Sequence, residues 1–472
     1  MTALHDLGAT ELIARYRERS LSPVEVTRAV LDRIAAWEPH LHATYALDGE
    51  AALASARVSE ARWLRHRSAG EPVGALEGVP SMIKENIATL GTPVPLGTAA
   101  TELVPALRDA PPAARMREAG AVILGKTTMP DYGMLSSGLS SFHELGRNPW
   151  DLSKGPGGSS SGAGAGVAAG YGPLHLGTDI GGSVRLPASW CGIFTLKPSL
   201  GRIPIDPPYA GRAAGPMTRS VADAALLMGV VSQPDDRDTM SLPAQSIEWA
   251  RLDRDVQGLR IGLLLDAGVG LPVDPEVKAA VQAAADRFAA AGAHVEPIAP
   301  FFTRAMLDGM DAFWRMRSWL DFSALPAARR ARVLPFIAAW IEGGAGQSGE
   351  QVFHGYNQMG AMRDAAVAAH RPFDFVLSPT APITAFAAEL ASPTDDPRHP
   401  LEHISFTVPY NMSEQPAASI NCGWTSAGLP IGLQIAGKRH DDLGVLQMAC
   451  AWETLREAPR PWPEPPAAAD AR

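Results

Sequence analysis

The sequence predicts an α/β fold, because short apolar runs alternate with helix-length segments along almost the whole chain. Hydrophobic residues make up 46% of the 472 residues, a share that allows a sizeable core. No segment repeats at a fixed period, as it would in a solenoid or a propeller. By length alone the chain forms either two or three domains or one large α/β unit.

The first elements are predicted to be helices. A capping box at Ser22 and Glu25, with proline at the first helical position, predicts a helix that ends near Trp37. The stretch 50–66 is rich in alanine and arginine and predicts a second helix. We assign neither helix a role in function.

Strands and helices then alternate towards the C-terminus. The predicted strands lie at 78–83, 121–124, 174–176, 261–265, 375–377 and 433–435, and the predicted helices at 112–119, 221–231 and 274–291. The tail 457–472 is rich in proline and alanine, which predicts a loosely ordered end.

Charge and composition exclude several classes of function. The 41 lysines and arginines and the 50 aspartates and glutamates give a net charge of −9, which argues against nucleic-acid binding. Apolar stretches are broken before the roughly 18 residues that a membrane span requires, and the N-terminus lacks a signal-peptide core. Cys191, Cys422 and Cys450 form no CxxC motif, which suits a reducing compartment. We therefore expect a cytoplasmic protein that binds neither nucleic acid nor membrane.

The strongest functional signal lies in two segments of small residues, 157–162 and 177–185. Small residues let the backbone approach a ligand closely. A run of backbone amides from Ile180 to Ser183 would form a concavity that binds an anion or the oxyanion of a tetrahedral intermediate. Ser183 would then be a nucleophile beside its own oxyanion hole. Taken alone, such a segment more often only turns the chain.

A serine hydroxyl needs a base before it can act as a nucleophile. Lys84 follows the predicted strand 78–83, so burial would lower the pKa of its amine and leave it neutral. The histidine nearest in sequence, His175, lies inside a predicted strand, and histidines distant in sequence stay possible. A surface lysine at the end of a strand is the alternative interpretation.

Taken together, these segments resemble the defining signature of the amidase signature family. Ser159 and Ser183, 24 positions apart, have the family's spacing, and the resemblance covers about residues 8–455. The segments that carry it are 78–84, 125–127, 147–150, 156–160, 177–188, 192–198, 215–223 and 428–434.

The resemblance implies a single α/β/α domain over 1–472, in which helices cover a large mixed twisted sheet. Its core would lie in 70–230 and 370–455, and 300–360 would be a variable helical region that forms the substrate pocket.

The resemblance also implies the roles of the site residues. Ser183 would be the nucleophile, Ser159 the bridging serine after a cis peptide, and Lys84 the base, with no metal and no organic cofactor. The oxyanion hole would consist of the amides of Ile180, Gly181, Gly182 and Ser183, while Ser160 would orient Lys84 and Thr178, Asp179 and Arg185 would support the site.

Three residues depart from the family's pattern. Ser161 and Glu414 stand where glycine is usual, and Glu85 stands where aspartate is common. None of the three removes a member of the triad. We expect Glu85 and Glu414 to alter the rim of the pocket.

Rival motifs are weaker. Residues 120–127 fit the Walker A pattern, but their middle is a buried strand rather than a phosphate-binding loop. Residues 158–162 fit a nucleophile elbow centred on Ser160, but no strand precedes them. His399 and His403 lie in a loop rich in proline and aspartate, which favours solvated histidines over a metal site.

We therefore expect an amidase that cleaves a small-molecule amide, carbamate (urethane) or ester and that is a monomer or a homodimer. Aromatic and methionine residues are dense at 301–322, where they form either a helix packed on the core or an apolar wall or lid that suits aryl substrates. The alternatives are an inactive scaffold and a glutamine-dependent amidotransferase subunit.

Overall fold

A mixed sheet of eleven strands runs through the computed structural model, which describes residues 3–466. The strands are β1 Thr44–Tyr45, β2 Pro80–Lys84, β3 Val122–Thr127, β4 Leu174–Asp179, β5 Phe194–Lys197, β6 Ala213–Thr218, β7 Arg260–Leu263, β8 His294–Pro297, β9 Phe375–Pro379, β10 Ala417–Trp424 and β11 Pro430–Gly437. Their order across the sheet is β1-β3-β2-β4-β6-β5-β10-β11-β9-β7-β8. β2 pairs in parallel with β3 and β4, whereas β4 and β6 are antiparallel.

Helices connect the strands and cover both faces of the sheet. They are α1 Ala9–Glu18, α2 Pro23–Leu41, α3 Gly49–Ala69, α4 Pro111–Glu118, α5 Ser161–Ala169, α6 Arg185–Cys191, α7 Val221–Val231, α8 Pro275–Ala290, α9 Arg304–Ser323, α10 Ala327–Arg330, α11 Pro335–Glu342, α12 Gly349–His370, α13 Val408–Met412 and α14 Asp442–Leu455. None of these helices combines the length and the apolar content that crossing a bilayer requires.

The two faces of the sheet belong to different cores, because successive strand side chains alternate in direction. Ile83 of β2 packs into the core formed with α4, α7, α8 and α14. Its neighbour Met82 packs on the other side, with α2 and α3. The α/β class and the large mixed sheet predicted from the sequence are confirmed.

Several predicted elements end where the sequence indicates, and others do not. β2 ends at Lys84, and α7 spans the predicted residues 221–231. At the start of α2 the Ser22 hydroxyl accepts hydrogen bonds from the amides of Val24 and Glu25 (3.1 and 3.3 Å), so the capping box is present. The helix continues past Trp37 to Leu41 and includes Pro39 in its last turn.

The tail differs from its prediction. Up to Pro466 it has no regular structure, but it packs against the domain. The Arg219 guanidinium lies 4.4 Å from the centre of the Trp462 ring, and Arg33 donates a hydrogen bond to the Pro463 carbonyl (2.7 Å). These contacts contradict the predicted loose order for 457–466, and residues 467–472 lie outside the described part.

Candidate active site

Lys84 is the last residue of β2 and is fully buried at the carboxyl edge of the parallel strands. Its Nζ donates hydrogen bonds to the Ser159 hydroxyl (2.7 Å) and to the Thr178 hydroxyl (3.1 Å). Thr178 is near the end of β4, which pairs in parallel with β2. The fold therefore brings Lys84 into contact with two hydroxyls that lie 75 and 94 positions further along the chain.

The environment of Lys84 favours the neutral amine. Burial, followed by the positive charge of Arg212, lowers the pKa of Lys84 to about 7, and the charges of Asp179 and Glu85 only partly oppose this shift. An amine with this pKa can accept a proton at neutral pH, as a general base must.

Ser159 and Ser183 lie on the wall of one cavity of about 520 Å³. The peptide bond between Gly158 and Ser159 is cis, as the resemblance implies. Ser159 is buried, while Ser183 is partly exposed. Within residues 3–466 no hydrogen bond joins the two hydroxyls, so the structure links Lys84 to Ser159 directly and places Ser183 beside them without the third link.

The loop after β4 is fixed by the carboxylate of Asp179. Its Oδ1 accepts a hydrogen bond from the Gly182 amide (2.8 Å), and its Oδ2 accepts one from the Val184 amide (3.2 Å). Gly182 has φ 127°, in the region that favours glycine. In this structure the Gly182 N–H is thus bonded to Asp179, so its place in the oxyanion hole stays a prediction that this hydrogen bond does not favour.

Three other predicted oxyanion donors keep free amides. The backbone N–H groups of Ile180, Gly181 and Ser183 donate no hydrogen bond to another residue in the described chain. Ile180 and Ser183 also line the cavity. A loop with unpaired amides beside a serine is an arrangement that can stabilise an oxyanion.

Arg185 and Asp179 form a fully buried ion pair. Arg185 donates from Nε and Nη2 to the two carboxylate oxygens (3.0 and 2.9 Å). It also donates to the Thr407 carbonyl (2.8 Å), to Gln434 Oε1 (2.8 Å) and to Asn411 Oδ1 (2.6 Å). Burial alone would raise the pKa of Asp179, but Arg185 outweighs it and holds this pKa well below its usual range. The family's motif indicated the two charged residues but not these three partners.

Removing this guanidinium is expected to destabilise the fold. Arg185→Met leaves the Asp179 carboxylate buried without its counter-charge, which lowers the free energy of unfolding by roughly 3–5 kcal/mol. Urea denaturation followed by circular dichroism measures the change. Arg363→Met, at an exposed position on α12, is the control and leaves the unfolding midpoint unchanged. A loss below about 1 kcal/mol for Arg185→Met would contradict the structural role.

Ser160 hydrogen-bonds to Thr178, and Thr178 in turn hydrogen-bonds to Lys84. The Ser160 hydroxyl donates to the Thr178 carbonyl (3.2 Å), so it contacts Lys84 only through Thr178. The Thr178 hydroxyl accepts from Lys84 and also from Asn86 Nδ2 (3.0 Å). The sequence analysis did not predict a role for Asn86. Its position two residues after Lys84 was the available signal, and the structure places it on the cavity wall with Ser159 and Thr178.

The three departures from the family's pattern do not line the cavity. Glu85 is buried and lies 2.5 Å from His143 Nε2. Glu414 pairs with Arg439, and the Ser161 hydroxyl donates to the Thr128 carbonyl (3.1 Å). The expectation that Glu85 and Glu414 alter the pocket rim is therefore wrong.

Two of the rival motifs form other structures. Residues 122–127 of the Walker-like segment form β3, and Lys126 is buried, donating to the Ile87 carbonyl. His399 is exposed, but His403 is buried and stacks on Trp190, so the prediction of a solvated side chain is wrong for His403. Among residues 3–466, no three His, Cys, Asp or Glu side chains are placed to share a metal ion.

The apolar wall of the cavity does not come from the aromatic stretch 301–322. Leu307, Met310, Trp314 and Phe322 pack into a further core, separate from the two cores on the faces of the sheet. The residues of α9 that line the cavity are Arg317 and Asp321. Its apolar lining comes from other parts of the chain, namely Ala88, Val94, Leu96, Met129, Tyr132, Met134, Ile180, Pro207, Pro208 and Tyr209.

Known proteins are similar to this chain over most of its length. The family model described as Amidase matches residues 25–446. An acylamidase of Rhodococcus erythropolis is 33% identical over 97% of this chain and 96% of that protein. A glutamyl-tRNA(Gln) amidotransferase subunit of Myxococcus xanthus (strain DK1622) is 34% identical over 95% of this chain and 97% of that protein. The chain belongs to the amidase signature family.

Solved structures of this family show the same fold. A bacterial aryl acylamidase of the amidase signature family superposes with a TM-score of 0.88, at 31% identity over 96% of this chain and 97% of the other. The 6-aminohexanoate cyclic dimer hydrolase gives a TM-score of 0.83, at 28% identity over 96% and 97%. As an amidase signature protein, the chain is an amidohydrolase that acts on carbon–nitrogen bonds other than peptide bonds.

Proposed function

We propose that this enzyme hydrolyses small-molecule amides through an acyl-enzyme on Ser183. The observation that carries the proposal is the contact of the buried Lys84 Nζ with the Ser159 hydroxyl (2.7 Å), on the wall of the cavity that Ser183 also lines. A neutral amine that contacts one hydroxyl beside a second, more exposed hydroxyl is the arrangement that a proton relay needs.

In the first half-reaction, the Ser183 hydroxyl attacks the substrate carbonyl carbon. Its proton passes to Ser159, which passes its own proton to Lys84. The carbonyl oxygen becomes an oxyanion, which accepts hydrogen bonds from the free amides of Ile180, Gly181 and Ser183. When the carbon–nitrogen bond breaks, the proton returns through Ser159 to the leaving nitrogen, and an ester remains on Ser183.

In the second half-reaction, water attacks the Ser183 ester. Lys84 again takes a proton through Ser159, and the proton then returns to the Ser183 oxygen as the acyl group leaves. The sum is one amide and one water converted into one carboxylic acid and one amine. For a carbamate, the products are an amine and a carbonic acid monoester.

Aryl amides and carbamates (urethanes) are the finer substrate class that we propose. The apolar side chains that line the cavity suit an aromatic ring, since flat apolar groups gain free energy when they leave water. The aryl acylamidase with a TM-score of 0.88 supports this choice by its name.

A substrate panel tests the proposal. Purified protein is assayed with acyl anilides, aliphatic amides, ureas and aryl carbamates, and the released amine is quantified. We expect anilides and carbamates to have the highest kcat/KM. A fluorophosphonate probe followed by peptide mass spectrometry is expected to label Ser183. Equal kcat/KM for acetamide and for anilides would remove the aryl preference, and labelling of another serine would contradict the nucleophile.

A glutamine-dependent amidotransferase subunit is the second candidate, because the Myxococcus xanthus protein is as similar to this chain as the acylamidase is. The net charge of −9 offers no excess of basic residues for tRNA. Glutaminase activity that exceeds anilidase activity, together with co-purifying partner proteins, would favour this second candidate over the first.

The proposed relay has a definite pH dependence. Lys84 must be neutral to accept a proton, and its pKa is lowered to about 7. Protonation below this pH removes the base, so kcat/KM is expected to rise about tenfold per pH unit below pH 7 and to level off above it. Initial rates from pH 5 to 9 measure the profile, with the melting temperature recorded over the same range. A profile that falls between pH 6 and 8 while the fold stays intact would contradict Lys84 as the base.

The relay uses side chains alone, so chelators are expected to leave the rate unchanged. Overnight dialysis against EDTA, followed by assay with and without added Zn²⁺, measures this. A loss of activity that Zn²⁺ restores would point to a metal-dependent step.

We also propose that the protein is a monomer or a homodimer and that it is cytoplasmic. Size-exclusion chromatography with light scattering tests the oligomeric state.

A further inference from the structure

Two arginines line the cavity without a carboxylate partner. Arg212 donates a hydrogen bond from Nη1 to the Pro207 carbonyl (2.9 Å). Arg317 lies over the Tyr209 ring, 4.7 Å from its centre, and its Nη2 is 3.7 Å from Met134 Sδ. Within residues 3–466 neither guanidinium forms an ion pair, although each has donors left for an anion.

The position of Arg212 follows from the sheet. It directly precedes β6, whose first residue Ala213 pairs with Asp179 at the end of β4. Ile180, which follows β4, and Arg212, which precedes β6, therefore both lie at the edge of the sheet where β4 ends. Arg212 is the largest charged contributor to the lowered pKa of Lys84, which agrees with a place beside the reacting groups.

The carboxylates of the cavity do not neutralise these arginines. Asp206 lines the cavity but pairs with Arg108 (3.0 Å). Asp179 is paired with Arg185. Asp321 is exposed and forms no ion pair within the described residues. The positive charge of Arg317 lowers the pKa of Arg212 further after burial does, so the two cations lie within electrostatic range of each other. The cavity therefore holds two guanidinium groups that no carboxylate of the described residues contacts directly, while the charges of Asp206 and Asp238 act on Arg212 from further away.

We propose that Arg212 and Arg317 bind a carboxylate of the substrate, so that the preferred substrates are amides that carry a carboxylate in addition to the scissile bond. This inference rests on the proposed function and narrows its substrate class. The planar guanidinium group binds a carboxylate with two parallel hydrogen bonds. Two half-buried cations without a partner repel each other, and a bound anion removes that repulsion. The apolar wall would contact the carbon chain or ring between the carboxylate and the amide.

Matched substrate pairs test the proposal on each side of the scissile bond. Glutaryl-4-nitroanilide is compared with pentanoyl-4-nitroanilide for a carboxylate on the acyl group. N-pentanoyl-4-aminobenzoate is compared with N-pentanoyl-4-methylaniline for a carboxylate on the amine. In at least one pair we expect kcat/KM to be about tenfold or more higher for the anionic member.

Variants identify the groups responsible. Arg212→Gln and Arg317→Gln are each expected to lower the anionic-to-neutral ratio of kcat/KM by about fivefold or more, mainly through KM. Arg317→Lys keeps the charge and should retain more of the ratio than Arg317→Gln. Arg363→Gln, on the exposed face of α12, serves as the matched control and leaves the ratio unchanged.

The outcomes separate this inference from the proposed function. An anionic-to-neutral ratio of kcat/KM near one in both substrate pairs would overturn the carboxylate site while leaving the amidase proposal intact. A ratio that neither glutamine variant lowers would do the same. If no amide is cleaved, the amidase proposal fails, and calorimetry still tests the site. In at least one of the two pairs, the anionic member should then bind to Ser183→Ala protein about tenfold more tightly than the neutral member. Equal affinities within both pairs would contradict the proposal.

Discussion

Ser183→Ala is expected to abolish hydrolysis of every amide and carbamate that the wild-type enzyme cleaves. The substitution removes the only atom in the proposed relay that bonds to the substrate, so kcat should fall by about 10⁴-fold or more. The fold should stay intact, because the contact that Ser183 makes with Ser160 uses its backbone carbonyl (3.0 Å). Product release measured over many hours gives the residual rate, and a melting temperature within about 2 °C of wild type shows that the fold is retained.

Ser161→Ala is the matched control for this substitution. Ser161 is at the start of α5, two residues after Ser159, and its hydroxyl donates to the Thr128 carbonyl away from the cavity. It should keep its kcat and lose only a little stability, about 1 kcal/mol for one hydrogen bond. Turnover by Ser183→Ala above about one hundredth of the wild-type rate would contradict the nucleophile.

Lys84→Met is expected to lower kcat by about 10³- to 10⁵-fold. The substitution keeps an unbranched side chain one atom shorter than lysine but removes the base, so the proton of Ser159 has no acceptor. The residual rate should also lose its rise near pH 7, because the group that titrates there is gone. Ser159→Ala should cause a loss of similar size, and the double variant should be little worse than either single one, since the two groups act as a unit.

The chain provides a second buried lysine as a control. Lys126 is on β3, the strand beside β2, and burial lowers its pKa to about 7 as well. Its amine donates to the Ile87 carbonyl and to the Thr89 hydroxyl rather than into the cavity. Lys126→Met should therefore change stability but leave kcat within a few-fold of wild type. Equal losses in both variants would show that Lys84 matters for the fold rather than for the reaction.

The position of Lys84 on a strand and its contact with Ser159 were predicted from different information. The apolar run before Lys84 indicates a buried strand, so its position on β2 follows from local pattern. Its contact with Ser159, 75 positions away, has no local signal and came only from the family's motif. Likewise, Gly182 could not be separated from its neighbours, because the direction of an N–H group depends on φ and ψ and not on residue type.

Other features of the site have no local signal in the sequence. Arg212 and Arg317 became candidates only when the sheet and α9 placed them on one cavity. The aromatic stretch 301–322 could not be divided into core and cavity wall, because both environments select the same apolar side chains. The partners of Arg185 at Thr407, Asn411 and Gln434 lie more than 220 positions away, beyond any periodicity.

The hydrogen-bond partners of Arg185 are far from it in sequence, and this has a consequence during synthesis on the ribosome. The nucleophile loop follows β4, but the groups that hold Arg185 belong to α13 and β11 and to the segment before them, close to the end of the chain. A growing polypeptide thus presents Ser183 long before its anchors have been translated. Hydrolytic competence should appear late and abruptly, once β11 has left the exit tunnel, and release of nascent chains shortened before residue 430 should give inactive protein.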